Sequence, residues 1–354
     1  MDKTELERMV RDGEPLERLE LDGLDLSGAD LGGIICAETS LRGVNLAGAK
    51  LSEGSFARCD LSGARLDGAN IRHSAFVRSN FSGASLREAR LVGLRLLECD
   101  LKSASFAGSD LSVGGLARSD LSDASLAGVK LDRSVIMECT LDRADFNGAD
   151  LGRTTLFRAD LRSAKLAGAR FRSTVLSEAK LSGHSFEKMD LTLSQLIDAD
   201  LEGCCFDGAT LTQVNFKGAN LTRASLASAQ AKNALFPKAR LDGASLAGAY
   251  LFQAIFQESD ATGVDARGAD LSQSIWQRAI CAGARFDRCD LTYADFSHAD
   301  LRRAHFTGAT MFRTKLHRTS QEDAVFSSSK GAALGDEELL VEAETWWEKH
   351  NHKA

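Results

Sequence analysis

Large apolar residues recur at every fifth position over most of this chain. From Leu16 to Phe326 the positions numbered 5n+1 keep one register through 63 repeats, with Leu at 38 of them and Phe at 15. Small residues, most often Ala, stand at 5n+4, and Gly is frequent at 5n+3. A period of five matches neither the 3.6-residue period of an α-helix nor the two-residue period of a flat strand. The pattern therefore predicts a repeat architecture.

A solenoid fits this period if the chain turns a corner every five residues. The residues at 5n+1 and 5n+4 then point inward, and those at 5n, 5n+2 and 5n+3 face solvent. Gly at 5n+3 supplies the backbone freedom that a corner with positive φ requires. Asp is common at 5n, as in DLSGADL (25–31) and DFNGADL (145–151), where a short carboxylate is expected to bond nearby backbone amides.

These residues carry a resemblance to a known family. The pattern resembles the A(D/N)LXX motif of the pentapeptide-repeat family. The resemblance implies an all-β solenoid, a right-handed four-sided parallel β-helix of about 15 coils with short terminal α-helices. We expect an N-terminal capping helix in residues 1–14, the β-helix in residues 15–328, and a linker with a C-terminal helix in residues 329–354.

The core is expected to mix large and small side chains within each layer. Of the 15 Phe residues in register, 13 stand at positions ending in 6, so two opposite walls carry Phe and Leu. In the coil of residues 261–280, Ala261 and Ala266 share a layer with Trp276. One indole is expected to fill the space that the two small residues leave.

Both ends of the repeat region look suited to cover unpaired strand edges. Thr4 and Glu7 have the spacing of a capping box, and Gly13 is a stop signal. A second helix is predicted from residue 336 to about 349. Two uses are open for it, because it can cap its own last coil or form a homodimer with a second copy. The residues expected to make the contact are Leu339, Leu340, Trp346 and Trp347.

Residues for catalysis or metal binding are scarce. Seven of the eight Cys fall at inward positions, and no column of equivalent inward positions has Cys in adjacent coils. Disulfide bonds are therefore not expected. This predicts a reduced, cytoplasmic protein. The chain has no GxSxG, P-loop, HExxH or dinucleotide motif in a suitable context. We therefore predict no enzyme activity, no cofactor and no metal site.

Charge and hydropathy exclude further classes of binding partner. Lys and Arg total 43 against 50 Asp and Glu, a net charge of −7, which argues against direct nucleic-acid binding. No apolar run approaches 18 residues, so no membrane association is expected. No secretory signal is readable at the N-terminus, so export would need a route independent of a signal peptide.

Apolar residues at outward positions, where polar residues are expected, concentrate on one wall. The central residues of this wall are Leu16, Cys36, Phe56 and those that follow in steps of 20. We call these outward apolar residues the apolar stripe. A contiguous apolar surface of this kind is typical of a binding site, although apolar and β-branched residues also simply suit strands. The predicted stripe comprises Val77, Leu97, Met137, Phe157, Ile197, Val135, Val175, Leu235, Ile255 and Ile275.

Charged residues of both signs follow the stripe at the next corner. We call this column the charged rim. It is either a solvated edge or a set of charges that aligns a partner lying along the stripe. Its predicted cationic members are Arg58, Arg78, Arg118, Arg158, Arg278 and Arg318.

The function predicted from these features is a non-catalytic scaffold or adaptor that docks a protein partner along the stripe. Regular pentapeptide rods resemble accessory proteins of bacterial type VI secretion loci, which suggests that kind of pathway. The alternative is a DNA mimic that binds DNA gyrase or a topoisomerase, as the repeats also resemble quinolone-resistance pentapeptide proteins. A homodimer through the stripe is a further option, and the partner's identity stays open.

Overall fold

The computed structural model describes residues 2–327 and 331–351. The chain forms two compact units, Met1–Lys180 and Leu181–Ala354. Each is a parallel β-solenoid in which paired residues are 20 apart in sequence, and the turns number about 16 in total. The solenoid predicted from the five-residue period is therefore confirmed. The predicted boundary between residues 328 and 329 lies outside the described residues.

The first unit opens with helix α1 (Lys3–Arg11) and continues into a seven-stranded parallel sheet on one wall. The strands pair in chain order, and each central residue lies against the residue 20 positions later, as Phe56 does against Phe76. The other walls are joined by single bridges of the same spacing. The strands are β1 (Leu16–Glu17), β2 (Ile35–Ala37), β3 (Ser55–Ala57), β4 (Ala75–Val77), β5 (Arg95–Leu97), β6 (Gly115–Ala117) and β7 (Val135–Met137).

The second unit continues the pattern mostly through single bridges, such as Leu235 to Ile255. Its described strands are β8 (His305–Phe306) and β9 (Val325–Phe326), which pair in parallel. Helix α2 (Glu338–Asn351) follows.

The core is a stack of buried side chains in register. In the second unit, the rings of Phe216, Phe236, Phe256 and Trp276 stack on one another at centroid distances of 3.9 to 5.0 Å. Trp276 is fully buried, and its indole N–H donates to Ser274 Oγ at 2.9 Å. Ala261 and Ala266 are also fully buried, as expected for small residues in the layer that holds the indole.

Corners at 5n+3 adopt positive φ whether or not they carry Gly. Gly48 has a φ of 67°, and Arg78 at an equivalent corner has a φ of 51°. The predicted role of Asp at 5n is confirmed as well. Asp100 Oδ1, for example, accepts a hydrogen bond from the Lys102 amide at 3.0 Å, which closes the corner with a side chain.

The N-terminal helix begins earlier than the capping-box spacing predicted. Asp2, and not Thr4, is the N-cap, and its side chain accepts from the Glu5 amide at 2.9 Å. Glu7 instead reaches the solenoid, where its carboxylate accepts from the Asp30 amide at 2.9 Å. The prediction was wrong at Thr4 because an Asp two residues earlier can bond the first free amides of the helix. Gly13 follows the helix with a φ of 75°.

All eight cysteines are free thiols. The comparison of cysteines within single columns missed one neighbouring pair. Cys36 occupies a central position, and Cys59 occupies a small-residue position of the next turn. Their Sγ atoms lie 3.6 Å apart. The hydrogen bond with Cys59 and burial both raise the pKa of Cys36, and the same hydrogen bond lowers the pKa of Cys59.

Candidate interaction surface

The sheet of the first unit carries a continuous apolar ridge on its outer face. Consecutive strands place one outward apolar residue each in direct register. Six strands at about 4.8 Å spacing give a ridge on the order of 24 Å across. Val77 and Leu97 are half-buried by their neighbours, and Met137 is 43% exposed. The ridge consists of Ala37, Ala57, Val77, Leu97, Ala117 and Met137.

The outward column on the other side of the strands is less uniform. Ile35 and Val135 are exposed, but the charged residue Arg95 lies between them in the column. Val135 pairs with Thr155, which in turn pairs with Val175. Sequence reasoning named Val135 and Val175 correctly as one column but left out Ile35, whose exposure makes it part of this surface.

The ridge ends at a local opening between two turns. Among the described residues, no bridge joins Thr140 to Asp160, and the Glu138 amide has no backbone acceptor. A groove of about 260 Å³ lies here between Met137 and Phe157. The guanidinium of Arg158 lies 4.8 Å from the centroid of the Phe157 ring.

The second unit bears a shorter apolar column. Leu235, Ile255 and Ile275 pair in register on successive turns, and the column ends at Asp295. Ile197 is half-buried and stands in the other outward column, where it is followed by Lys217 after 20 residues. Of the ten predicted residues, six lie in the first unit and four in the second.

The charged rim of the first unit is largely neutralised by its own ion pairs. Glu38 pairs with Arg18 and Arg58 in the turns before and after it. Glu98 likewise pairs with Arg78 at 2.7 Å and Arg118 at 3.1 Å, and Arg158 pairs with Glu178. The hydrogen bond from Arg78 lowers the pKa of Glu98 below its ordinary value. These ion pairs hold charges of both signs at a fixed register beside the ridge.

The rim corners of the first unit carry no Gly, a property they share in part with other corner columns. All nine rim corners of the first unit, from Arg18 to Glu178, are charged residues with positive φ. At the corner column that runs from residue 28 to residue 168, Gly occupies seven of eight positions, with Glu88 as the exception. A residue with a Cβ costs about 1 kcal/mol or more in this conformation relative to Gly. The charges at the rim are therefore kept at an energetic cost.

The rim arginines of the second unit have different surroundings. Arg278 lines a cavity beside α2. Arg318 is not a free rim charge, because its guanidinium contacts Glu344 at 3.1 Å and Glu348 at 2.9 Å. Burial raises the pKa of Glu344, but hydrogen bonds from Arg318 and His317 outweigh it and hold that pKa below its ordinary value.

The contact residues expected on the C-terminal helix are largely exposed in the described structure. Leu339 is 77% exposed, Trp346 and Trp347 are each 61% exposed, and Leu340 is also exposed. Helix α2 is held instead through the carboxylates of Glu344 and its neighbours. The last turns present His and Arg side chains to the helix, and a homodimer through its exposed apolar residues stays a prediction.

Sequence reasoning missed the cluster formed by His298, His317 and Glu344. The two histidines are 19 residues apart, so a register of 20 places them in adjacent turns at neighbouring positions. Glu344 lies on α2, outside the repeat, and the repeat pattern holds no signal for its position.

Comparisons with known families agree with this architecture. A model described as "Pentapeptide repeat region" matches residues 49–126. A model described as "Pentapeptide repeats (8 copies)" matches eight segments, which are residues 20–56, 119–156, 156–192, 185–213, 194–229, 204–243, 238–273 and 277–318. The chain belongs to the pentapeptide-repeat family. Among curated proteins, no sequence match is found.

Several solved pentapeptide-repeat structures are similar to this chain. HetL, involved in heterocyst differentiation regulation in the cyanobacterium Nostoc sp. strain PCC 7120, is 28% identical, with 75% of this chain and 96% of HetL covered and a TM-score of 0.30. A trypsin-treated form of QnrB1, a plasmid-mediated fluoroquinolone resistance protein, is 21% identical, with 51% and 91% covered and a TM-score of 0.38. A protein from the Arabidopsis thaliana thylakoid lumen is 20% identical, with 36% and 88% covered and a TM-score of 0.17.

The pentapeptide-repeat fold is generally structural or interaction-mediating. Neither helix in the described part of the chain is both long and apolar enough to cross a membrane.

Proposed function

We propose that this pentapeptide-repeat protein is a non-catalytic scaffold that docks a protein partner on the outer face of the β1–β7 sheet. The observation that carries the proposal is the apolar ridge in register on six consecutive strands. Monomeric proteins seldom expose a contiguous apolar patch unless it serves binding. A rigid sheet also keeps the contact atoms in place before the partner arrives, which reduces the entropy lost on binding.

The rim supports the same proposal and specifies the partner's chemistry. Its charges are of both signs, one per turn, and many pair with their neighbours, so they supply register more than net attraction. The partner that fits is a flat or extended protein segment with an apolar stripe and flanking charges of both signs.

A matched pair of variants tests the proposal. Leu97→Lys places a charge in the middle of the ridge, and Val113→Lys places the same charge at an exposed apolar corner of the same unit, outside the ridge. Partners captured by crosslinking to the wild-type chain are identified, purified and titrated against each variant. We expect Leu97→Lys to weaken binding at least tenfold, and Val113→Lys to bind as the wild type does. Equal affinity of all three, with unchanged circular dichroism spectra, would overturn the proposal.

The identity of the captured protein separates the pathways. A secretion-system component would support the adaptor role suggested by the resemblance to type VI accessory proteins. Gyrase would instead favour the DNA mimic. That alternative is less favoured because acidic side chains are engaged locally, as Asp160 is with Arg162 and Asp300 is with Arg302. Inhibition of gyrase supercoiling by the purified chain would support the mimic and overturn the adaptor.

A further inference from the structure

The second unit brings three potential metal ligands together beside α2. His298 stands at a corner, His317 is buried in the adjacent turn, and Glu344 approaches from the helix. Glu344 Oε1 lies 3.3 Å from His298 Nε2, and Glu344 Oε2 lies 3.2 Å from His317 Nε2. One ligand atom of each residue lies within 4.8 Å of the others.

These separations suit a small divalent ion. Zn²⁺ binds His nitrogen and carboxylate oxygen at about 2.0–2.2 Å, so two ligands on a tetrahedron are about 3.4 Å apart. The 3.3 Å separation between His298 Nε2 and Glu344 Oε1 lies close to that value, and one ligand atom of each of the three residues lies within 4.8 Å of the others. Two imidazoles and one carboxylate also form a donor set that favours Zn²⁺ and its transition-metal neighbours over Ca²⁺ or Mg²⁺, which prefer oxygen.

The surroundings of His317 can orient it as a ligand. Its Nδ1 lies 3.6 Å from Asp336 Oδ1, and a carboxylate behind the ring is a common partner of metal-bound histidines. The Glu337 amide also lies 3.4 Å from Nδ1 and donates to it when the ring proton is on Nε2. Binding through Nε2 would place the ring proton on Nδ1, which then faces the Asp336 carboxylate at 3.6 Å and no longer accepts from the Glu337 amide.

The neighbouring groups leave room for the ion and for a fourth ligand. Arg318 contacts Glu344 Oε2 at 3.1 Å, so Oε1, which faces His298, is the oxygen available to the metal. A cavity of about 630 Å³ adjoins the cluster and is lined by polar side chains, among them Gln277 and Ser297. A water molecule from this cavity can complete four-coordination.

The weak attachment of α2 to the last turns indicates what a bound ion would do at this site. The large apolar side chains of the helix are mostly exposed, and its described contacts with the turns run through Glu344 and Glu348. Ion pairs at a partly exposed surface hold a helix weakly. We propose that His298, His317 and Glu344 bind a divalent transition-metal ion, with Zn²⁺ the best fit, and that the ion fixes α2 against the last turns.

The first experiment measures binding with the full chain. Protein treated with a chelator and dialysed is titrated with Zn²⁺ in competition with a chromophoric chelator. We expect one ion per chain, and at least tenfold weaker binding in His298→Ala and in Glu344→Gln. His305→Ala and His350→Ala serve as matched controls, since both are exposed histidines of the same unit outside the cluster. Absence of binding, or equal loss in the controls, would overturn the site.

A second measurement tests the geometry and the effect on the helix. Co²⁺ in the site should give the intense visible bands of four-coordination, whereas weak bands of an octahedral ion would overturn the assignment. Hydrogen exchange of residues 338–351 should slow when Zn²⁺ is added and should not change in His298→Ala. Unchanged exchange in the wild type would overturn the proposed fixing of α2. None of these readouts depends on the apolar ridge, so this proposal and the proposed scaffold function fail independently.

Discussion

Gly54 provides a sharp test of the packing inside the first unit. It occupies an inward small-residue position one turn after Ile34. A Cβ at Gly54 would lie 2.8 Å from Phe56 Cε2, 2.9 Å from Ile34 Cγ2 and 3.0 Å from Leu51 O. The pairing recurs at Leu94 and Gly114, so a large side chain in this column is followed by a Gly.

The cost of Gly54→Ala follows from those distances. Carbon atoms in contact are about 3.5–4.0 Å apart, so both side chains must move by roughly 0.7 Å or more. Ile34 and Phe56 are buried and cannot swing into solvent. Overpacking of this kind costs about 1–3 kcal/mol. Ile34→Ala removes one of the clashing atoms, so the double variant should be more stable than the sum of the single effects by at least about 1 kcal/mol.

Urea unfolding followed by far-UV circular dichroism measures these effects, with hydrogen exchange of residues 31–60 as the local readout. Gly115→Ala is the control, because its new methyl group would meet nothing within 4 Å. We expect that control to be neutral or stabilising by up to about 1 kcal/mol. If Gly54→Ala were as stable as the control, or if the double variant were strictly additive, the account of large and small residues alternating in this column would be refuted.

Three further predictions concern the core, the thiols and the rim. Trp276→Ala should lower the free energy of unfolding by about 3–5 kcal/mol in urea titrations, and Trp276→Phe by less because the ring stack persists. Iodoacetamide at neutral pH should label the half-buried Cys139 and Cys205 before the six buried thiols, as mass spectrometry of native protein would show. The pKa of Glu98 is lower in the folded chain, so its contribution to stability is present above the unfolded pKa and is lost as pH falls. Unfolding midpoints of wild type and Glu98→Gln should therefore converge in acid, and a constant difference would contradict the ion-pair reading.

The solenoid was predictable because the five-residue repeat can bury its large residues only in a chain that turns at each repeat. A large residue at every 5n+1 position, as in Leu16 to Phe326, leaves only a chain that turns every five residues able to bury all of them. The outward wall of Val77, Leu97 and Met137 followed once the family resemblance supplied four repeats per coil, since steps of 20 then align neighbours on one wall.

The predictions that failed concern features that the five-residue period does not determine. Helix α2 has no fixed register with the turns, so its contact through Glu344 was invisible to the pattern. The corner conformation was only half predicted, because Arg78 shows that charged residues also adopt positive φ there. The Cys36–Cys59 contact joins two different columns, and counting within single columns could not detect it.

The opening between Thr140 and Asp160 has a mechanical consequence. Force applied along a stack of turns is shared by the backbone hydrogen bonds between neighbours, and this interface has fewer of them than the one before it, where Asp120 pairs with Thr140. Rupture under tension should therefore start there. Within the first unit, the turns on either side of this interface would separate from each other as two intact stretches.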